Sequence, residues 1–544
     1  MRGRLVARAA SMTHSLPGAD STMFFPAEPF SSSPSRRRFL VTSSLAAAAV
    51  WASRAEGRVL RAPRYSADPF ALGVASGEPT ADGVVLWTRL APKPLAIDGG
   101  MPQEAVEVAW EVSDDEAFNR IVRKGIVAAT PDWAHTVHVE VPGLEAGRGY
   151  SYRFRSGSAT SPVGRTRTAP AAGATPERVR FAFASCQNWE EGLFTAYERM
   201  AKDDLDLVLH LGDYIYEYPA REGRVRRHGP PTDSLAGFRQ RHALYKTDTL
   251  LQGAHAACPW LVTWDDHEVE DNYASTNPNP ADATPETLLA RRAWAYRAYF
   301  EHMPLRAANL PDGPHMKIYR RVPWGRLAEF TLLDTRQYRT DQPCGDGNKA
   351  PCGEEMADDA SLTGAEQEAW LLDGFRRSTA TWNVVAQQVM MARIDRTPGP
   401  GETYSMDQWP GYEQERRRIL RAFGERPAAN PLVLTGDIHS HWANDLVVDF
   451  DGGPTRVVGA ELVGTSIASG GNGTAKPDGL ELLLADNPCL KFHSQKRGYV
   501  RCEADGEACR AEFRVVDFVD RPGGTVSTAA AFVVENGRPG LVPA

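Results

Sequence analysis

The chain has 544 residues, 42% of them hydrophobic and 24% charged, near globular averages, which excludes wholesale disorder and a collagen-like or disulfide-dense miniprotein. At roughly 150 residues per domain there is room for two to four domains and a large buried core. Lys and Arg number 61 against 69 Asp and Glu, a net charge of −8, which argues against bulk attraction to nucleic acid or anionic membranes while still allowing a local basic pocket.

Residues 1–55 read as a leader. Ser35-Arg36-Arg37-Arg38-Phe39-Leu40 runs into an uncharged Ala-rich stretch ending near Val50-Trp51-Ala52, the pattern of a twin-arginine export signal rather than an incidental basic cluster. Cleavage is expected after Ala55, and the long prelude marks Met12 or Met23 as alternative starts. Removing residues 1–55 would take away seven arginines and two acids, leaving a distinctly acidic protein. Twin-arginine export carries folded proteins, which suits a chain that acquires a metal before leaving the cytoplasm. No other stretch is apolar for about 18 residues, so no membrane span is expected and the destination is periplasmic or secreted.

Residues 66–170 are patterned as an all-β domain. Val84–Thr88, Val106–Val112 and His135–Val141 are short β-rich runs at sandwich-like spacing, and Gly143 to Phe154 reads as a corner and a strand, with Tyr150 or Tyr152 placed to bond back to the backbone. A fibronectin-like or immunoglobulin-like sandwich is expected, followed by a small-residue linker at 171–177. From 178 to 520 strand-like runs alternate with amphipathic helices at Pro285–His302, Thr363–Arg377 and Gly411–Phe423, the second opened by a capping box of Thr363 and Glu366. Residues 521–544 are left as a C-terminal extension. Seven cysteines leave at least one unpaired in an oxidising compartment. Local Cys344–Cys352 and Cys502–Cys509 disulfides are expected, with Cys258–Cys489 as a guessed third pair and Cys186 left over.

Five β-rich runs end in polar residues able to bind metal or phosphate. Arg180–Ala184 leads to Ser185-Cys186-Gln187, and Leu205–Leu211 to Gly212-Asp213-Tyr214-Ile215-Tyr216. Trp260–Trp264 leads to Asp265-Asp266-His267-Glu268, Leu327–Leu333 to Asp334-Thr335-Arg336, and Pro431–Thr435 to Gly436-Asp437-Ile438-His439-Ser440-His441. Ligands in α/β sheets bind at the carboxyl ends of strands, so five such ends point to one convergent site. Asp213, Asp266 and Asp437 are oxygen donors for hard cations, His439 and a Cys186 thiolate suit a transition metal, and Asp213 is the natural bridge between two ions. A lone Asp after a strand is usually a turn former, and a lone strand-end Cys is usually core; the joint pattern overrides those readings.

The segments Gly212–Tyr216, Trp264–Glu268 and Gly436–His439 resemble the PhoD-type alkaline phosphatases, a branch of the calcineurin-like metallophosphoesterases. Phe70–Pro79 with Val85–Arg89 is similar to that family's N-terminal β domain, so the resemblance covers about residues 66–515. It implies a metallophosphoesterase-like four-layer αββα sandwich behind the smaller β domain. It also implies that Cys186, Asp213, Tyr216 and His439 hold Fe(III) while Asp213, Asp266 and Asp437 hold Ca(II), other divalent ions being alternatives. In the wider superfamily the first motif is Asp-x-His; here Ser185-Cys186-Gln187 takes its place. The implied chemistry is hydrolysis of phosphate monoesters, and of diesters as an extension, by a metal-activated water. Arg336 is a candidate phosphate clamp or a plain salt-bridge residue. His267 is a candidate leaving-group acid or an orienter of a ligand carboxylate. Asn272 and Gln387 are candidates for a coordination position, substrate contact or packing. His441, the Arg221, Arg224, Arg226, Arg227 and His228 run, read as a solvated loop, and the Gly470-Gly471-Asn472-Gly473 turn are left without a role.

The expected partners are small phosphate esters, with phospholipids or phosphodiester polymers as wider substrates, and the twin-arginine translocation machinery; specific nucleic-acid recognition is not expected. A phospholipase D-like phosphodiesterase on the same scaffold is the alternative activity, and a non-catalytic cell-surface binding protein is the alternative class.

Overall fold

In the computed structural model, the strands behind the polar clusters lie side by side and run the same way. Arg178–Ala184, Leu207–Leu211 and Trp260–Thr263 are parallel neighbours in a ten-stranded mixed sheet. Ala328–Leu332, Trp382–Ala386, Pro431–Thr435 and Val457–Val463 are parallel neighbours in a seven-stranded one. Their near-continuous apolar runs are what a parallel strand covered on both faces requires. Along Arg178–Ala184 the period is two: Phe181 and Phe183 enter a core shared with Phe330, Leu332, Leu432 and Leu462 of the other sheet. Ala182 and Ala184 face the opposite way, toward Tyr245, Leu251 and Tyr299 of the helices Leu235–Lys246, Thr249–Ala257 and Pro285–His302. Gly364–Arg377 and Glu413–Gly424 cover the outer face of the seven-stranded sheet through Leu371, Phe375, Ile419 and Phe423. The structure describes residues 59–544 except 280–282, 398, 426–428 and 450–455. The leader therefore lies outside the described residues, among which no helix is long and apolar enough to cross a membrane.

The β-rich stretch before residue 170 divides between two sheets. Val74–Thr80, Gly83–Arg89 and Thr136–Pro142 extend the ten-stranded sheet beyond Trp260–Thr263, with Trp260 registered against Gly77. Ala105–Ser113, Ile121–Ala129 and Gly149–Ser156 belong to a separate six-stranded sheet, and Val84, Leu86, Val106, Val108 and Phe154 share a core. Of the two candidate corner tyrosines it is Tyr150 that bonds back, its hydroxyl accepting from the Glu145 N–H at 2.9 Å. At the other end of the chain, Val526–Glu535 and Arg538–Pro543 are strands of the ten-stranded sheet.

Three local expectations are corrected. Thr363 makes no capping hydrogen bond; its hydroxyl donates to the buried Glu415 carboxylate, a tertiary partner that outcompetes the local one. Cys344 and Cys352 form a disulfide, but Cys502 and Cys509 are buried thiols. They sit on paired strands two positions out of register, Cys502 opposite Ala511 and Cys509 opposite Ala504. Cys258 and Cys489 lie in different cores, on the helix-covered sides of the two sheets, so no bond joins them.

Between the ten-stranded sheet and its helices lies an unusual group of buried bases. The Lys246 ammonium sits 4.3 Å from the Trp87 ring and 5.3 Å from that of Tyr214. The Tyr214 ring in turn lies 5.1, 5.8 and 6.2 Å from those of His210, His255 and His242. Burial pushes the Lys246 pKa down from 10.5 to about 7. The unfolded chain keeps that proton up to about pH 10.4, so between about pH 7 and pH 10 the unfolded state binds more protons and this group adds stability as pH rises. Thermal unfolding of the wild type should move upward over that range, while Lys246→Met should raise the midpoint at pH 7 and flatten its pH dependence.

Candidate functional site

The loops that follow the parallel strands meet at one edge, where the end of Arg178–Ala184 is tied to the loop after Val457–Val463 by a bridge between Ser185 and Ser466. Three groups of potential ligand atoms, each within 4.8 Å of one another, abut there: Cys186 with Asp213 and His439; Asp213 with Asp266 and His267; Asp265 with Asp266 and Asp437. Asp213 belongs to two groups, as does Asp266.

Backbone conformation aims these side chains. Cys186, Asp213, Asp437 and His439 all have left-handed φ, between 52° and 64°, a region that non-glycine residues occupy at a cost of about 1–3 kcal/mol each and that clusters at functional sites. The glycines in the two Gly-Asp pairs are there for close approach. A Cβ on Gly212 would stand 2.5 Å from Asp265 N and Cβ, and one on Gly436 would stand 2.6 Å from Ser185 Oγ. Each glycine lets one ligand loop close on another. Glu268, fully buried, locks the first pair: its carboxylate accepts from the backbone N–H of Asp213 (3.1 Å), Tyr214 (2.6 Å) and Asp265 (2.9 Å). Burial raises its pKa to about 7 against those three hydrogen bonds.

Around Asp213 the contacts are polar and buried. The Tyr216 hydroxyl lies 2.9 Å from Asp213 Oδ2, 3.0 Å from His439 Nε2 and 2.8 Å from Ser469 Oγ, and the Cys186 Sγ is 3.1 Å from Ser185 Oγ. Asp213 Oδ1, Asp265 Oδ2 and Asp266 Oδ1 are buried with no hydrogen-bond partner. Burial raises the pKa of Asp213, Asp265, Cys186 and Tyr216 well above or above their usual values, lifts Asp437 to about 6, and lowers His439 to about 3. Asp266 goes the other way: burial opposes ionisation, but Arg336 and His267 together pull it below the ordinary carboxylate range. Buried carboxylate oxygens left without a hydrogen-bond donor are the kind that a bound cation would satisfy, favouring the ionised form.

Arg336 is sealed beneath the cluster. Its Nε meets Asp265, its two terminal nitrogens make a fork on Asp407 at 2.9 and 3.0 Å, and one of them lies 3.8 Å from both Asp266 and Asp437. A guanidinium with every nitrogen committed to a carboxylate is placed as an internal counter-ion rather than as an open clamp. His267 lies against Tyr216, the rings tilted by 33° with 4.2 Å between their centres, and pairs through Nδ1 with Glu217 at 2.9 Å. Asn272 donates its backbone N–H to Asp266 Oδ2 at 2.7 Å and its side chain to Asp346 in the disulfide loop. Gln387 is packing: it bonds Val389, Thr435 and Trp409. His441 accepts from Thr465 N and packs on Phe513. The arginine run is less solvated than its sequence implies, since Arg226 pairs with Asp248 under Trp189 and His228 is buried against Tyr245.

Several participants went unassigned in the sequence. Asp265 and Glu268 were visible beside Asp266 and His267, but nothing local distinguished a ligand-group carboxylate from a clamp. Asp407 and Gln408, which reach Arg336 and Asp437 Oδ2, carry no local signal at all.

A PhoD-like phosphatase profile matches residues 181–513, and the N-terminal domain profile of the same family matches residues 54–170. The chain belongs to the PhoD-like phosphatase family. It is therefore a phosphoric ester hydrolase, and its site residues can be read against that activity. It is 50% identical over 486 residues to alkaline phosphatase D of Bacillus subtilis, a match spanning 88% of this chain and 83% of the relative. A solved structure of PhoD, also 50% identical, superposes with a TM-score of 0.86 and covers 89% of this chain and 93% of its own. That likeness establishes the family's mixed α/β architecture for this chain.

The clamp role of Glu268 predicts that Glu268→Gln turns one acceptor into a donor facing a backbone N–H. A loss of about 1–3 kcal/mol is expected, read as a lower unfolding midpoint in the metal-free protein.

Proposed function

We propose that this family member is a metal-dependent alkaline phosphatase whose centre is the three abutting ligand groups around Asp213. The observation that carries the reading is the set of unpartnered, fully buried oxygens on Asp213, Asp265 and Asp266, which no protein donor satisfies and a cation would. The donor chemistry fits two kinds of ion. Cys186, Asp213, Tyr216 and His439 combine thiolate, carboxylate, phenolate and imidazole, a set suited to Fe(III), whereas Asp213, Asp266 and Asp437 are the all-oxygen set suited to Ca(II). Such ions, when bound, supply charge neutralisation at the phosphoryl oxygens and acidification of water.

The chain's own groups do the rest. Glu268 and the glycines before Asp213 and Asp437 fix the ligand loops, and Arg336 offsets the carboxylates from below. Burial favours the neutral His267 ring, but Asp266 and Glu217 outweigh it and raise its pKa well above the usual value. With Nδ1 held by Glu217 at 2.9 Å and Nε2 facing Asp271 at 3.6 Å, Nε2 is the position from which His267 would protonate the departing alkoxide oxygen, the general-acid role in ester cleavage. The N-terminal leader is read as an export signal, which would deliver the folded enzyme to the periplasm or beyond, where phosphate esters are its substrates.

Elemental analysis of the exported protein, with a phosphomonoester and a phosphodiester assayed on the same sample, tests this reading. Iron and calcium with turnover are expected, the preferred ester identifying the substrate class. Asp213→Asn should lose both metal and about a hundredfold or more of activity with the fold retained, and wild-type turnover in that variant would remove Asp213 from its bridging place. Cys186→Ala should selectively lower iron; an unchanged metal ratio would return Cys186 to the core.

A further inference from the structure

The direction from which a substrate reaches this centre is set by burial. Cys186, Asp213, Asp265 and Asp266 are each 3% exposed or less, with Arg336 and Arg339 beneath them at 1% or less. Asp437, Ile438 and His439 are partly exposed, and so are Asp271 and Asn272 on the facing side. The mouth thus opens between these two segments. Asp271 and Asp346 make one lip acidic, since Asp271 approaches His267 at 3.6 Å and Asp346 holds Asn272.

The other lip carries Arg396. Its backbone N–H bonds Thr403 O at 2.8 Å, and its guanidinium lies over the Trp442 ring at 4.7 Å. One terminal nitrogen stands 3.4 Å from Gln408 Oε1, and the same Gln408 side chain donates to Asp437 Oδ2 at 3.0 Å. Arg396 is therefore one hydrogen-bonded residue away from a candidate ligand. Burial and the opposing pull of Asp437 leave its pKa at about 10, so it is charged. The other buried arginines of this region are occupied: Arg336 and Arg339 by Asp407, and Arg497 by Ser466 and the carbonyls of Ser469 and Gln495. Arg221 stacks on Tyr218 but is solvent-exposed. Among the described residues no carboxylate forms an ion pair with Arg396.

We propose that Arg396 is the substrate-contacting cation of the reaction, its guanidinium fork taking non-bridging oxygens of the ester phosphoryl group and afterwards of the product phosphate. A planar fork stacked on an indole is pre-organised for such oxygens, and partial burial strengthens the contact. Arg396, on the open side, takes the clamp role that Arg336, on the sealed side, has no free nitrogen to fill. The inference rests on the carboxylate cluster being the reaction site.

The test uses the full-length, metal-loaded enzyme and Arg396→Met and Arg396→Lys. The Met side chain keeps the packing on Trp442 and removes the charge. Measured are the competitive inhibition constant of inorganic phosphate, KM and kcat for p-nitrophenyl phosphate, calorimetric phosphate binding, metal content and unfolding midpoint. The Met variant should weaken phosphate binding about tenfold to a hundredfold, in inhibition and calorimetry alike, with metal content and midpoint unchanged, and the Lys variant should recover part of the loss. An unchanged phosphate constant in Arg396→Met would overturn the assignment, as would a loss that tracks a fall in metal content, since Arg396 would then act only through Asp437. Asp213→Asn, assayed alongside, separates this failure from that of the metal-centre reading: an inactive, metal-free Asp213 variant beside an unaffected Arg396 variant rejects only the clamp.

Discussion

Four aspartates gather around one buried arginine at this site, and a second buried arginine, Arg339, pairs with one of them, Asp407. Arg336 faces Asp265, Asp266, Asp407 and Asp437 at once, and Asp213 lies beyond its reach. Burying carboxylates without matching positive charge costs several kcal/mol per ion even after relaxation, so the folded chain carries an electrostatic debt at the point where its parallel strands end. Much of the surrounding structure responds to that excess. Glu268 commits its own buried carboxylate to backbone N–H groups, and Asp266 and Glu217 draw the buried His267 ring toward its charged form.

Conformational strain and charge excess coincide. Four residues of the proposed ligand sets have left-handed backbones, and the two glycines beside them exist so that neighbouring loops can touch. Strain of this kind persists only where the surroundings over-determine it. Here the surroundings are the strand ends themselves, knitted by Cys186 N to Gly212 O, Gln187 N to Asp213 O and Gly436 N to Gln388 O. The strand ends of the two sheets therefore fix the arrangement of these proposed ligands within the protein itself, and side chains from distant loops, such as Gln408 and Asn272, add to it.

What the sequence disclosed and what it withheld follow from range. Periodicity within five to eighteen residues located the helix Pro285–His302 to the residue and the parallel strands nearly so, because buried apolar runs and amphipathic faces are local properties. Gly-Asp and Asp-Asp-His-Glu motifs disclosed ligand candidates because all their members lie on single strand-end loops. Failures came where a distant partner decided the outcome. Thr363 prefers Glu415 to a cap, Cys509 is offset from Cys502 by cross-strand register, and Arg336 is closed off by Asp407, seventy-one positions away. Arg396 shares that invisibility: nothing near it in sequence says that it will stand beside Asp437.

The seam between Trp260 and Gly77 carries a consequence for the chain's modularity. Because Val74–Thr80 continues the same hydrogen-bonded sheet as the strand behind Asp266, a fragment beginning at Ala171 would leave Trp260–Thr263 as a bare outer strand, short and apolar at three of its four positions. Unpaired edges of that composition recruit other chains. The early β-rich segment thus serves as a built-in edge guard for the sheet that carries Asp213 and Asp266 at its strand ends.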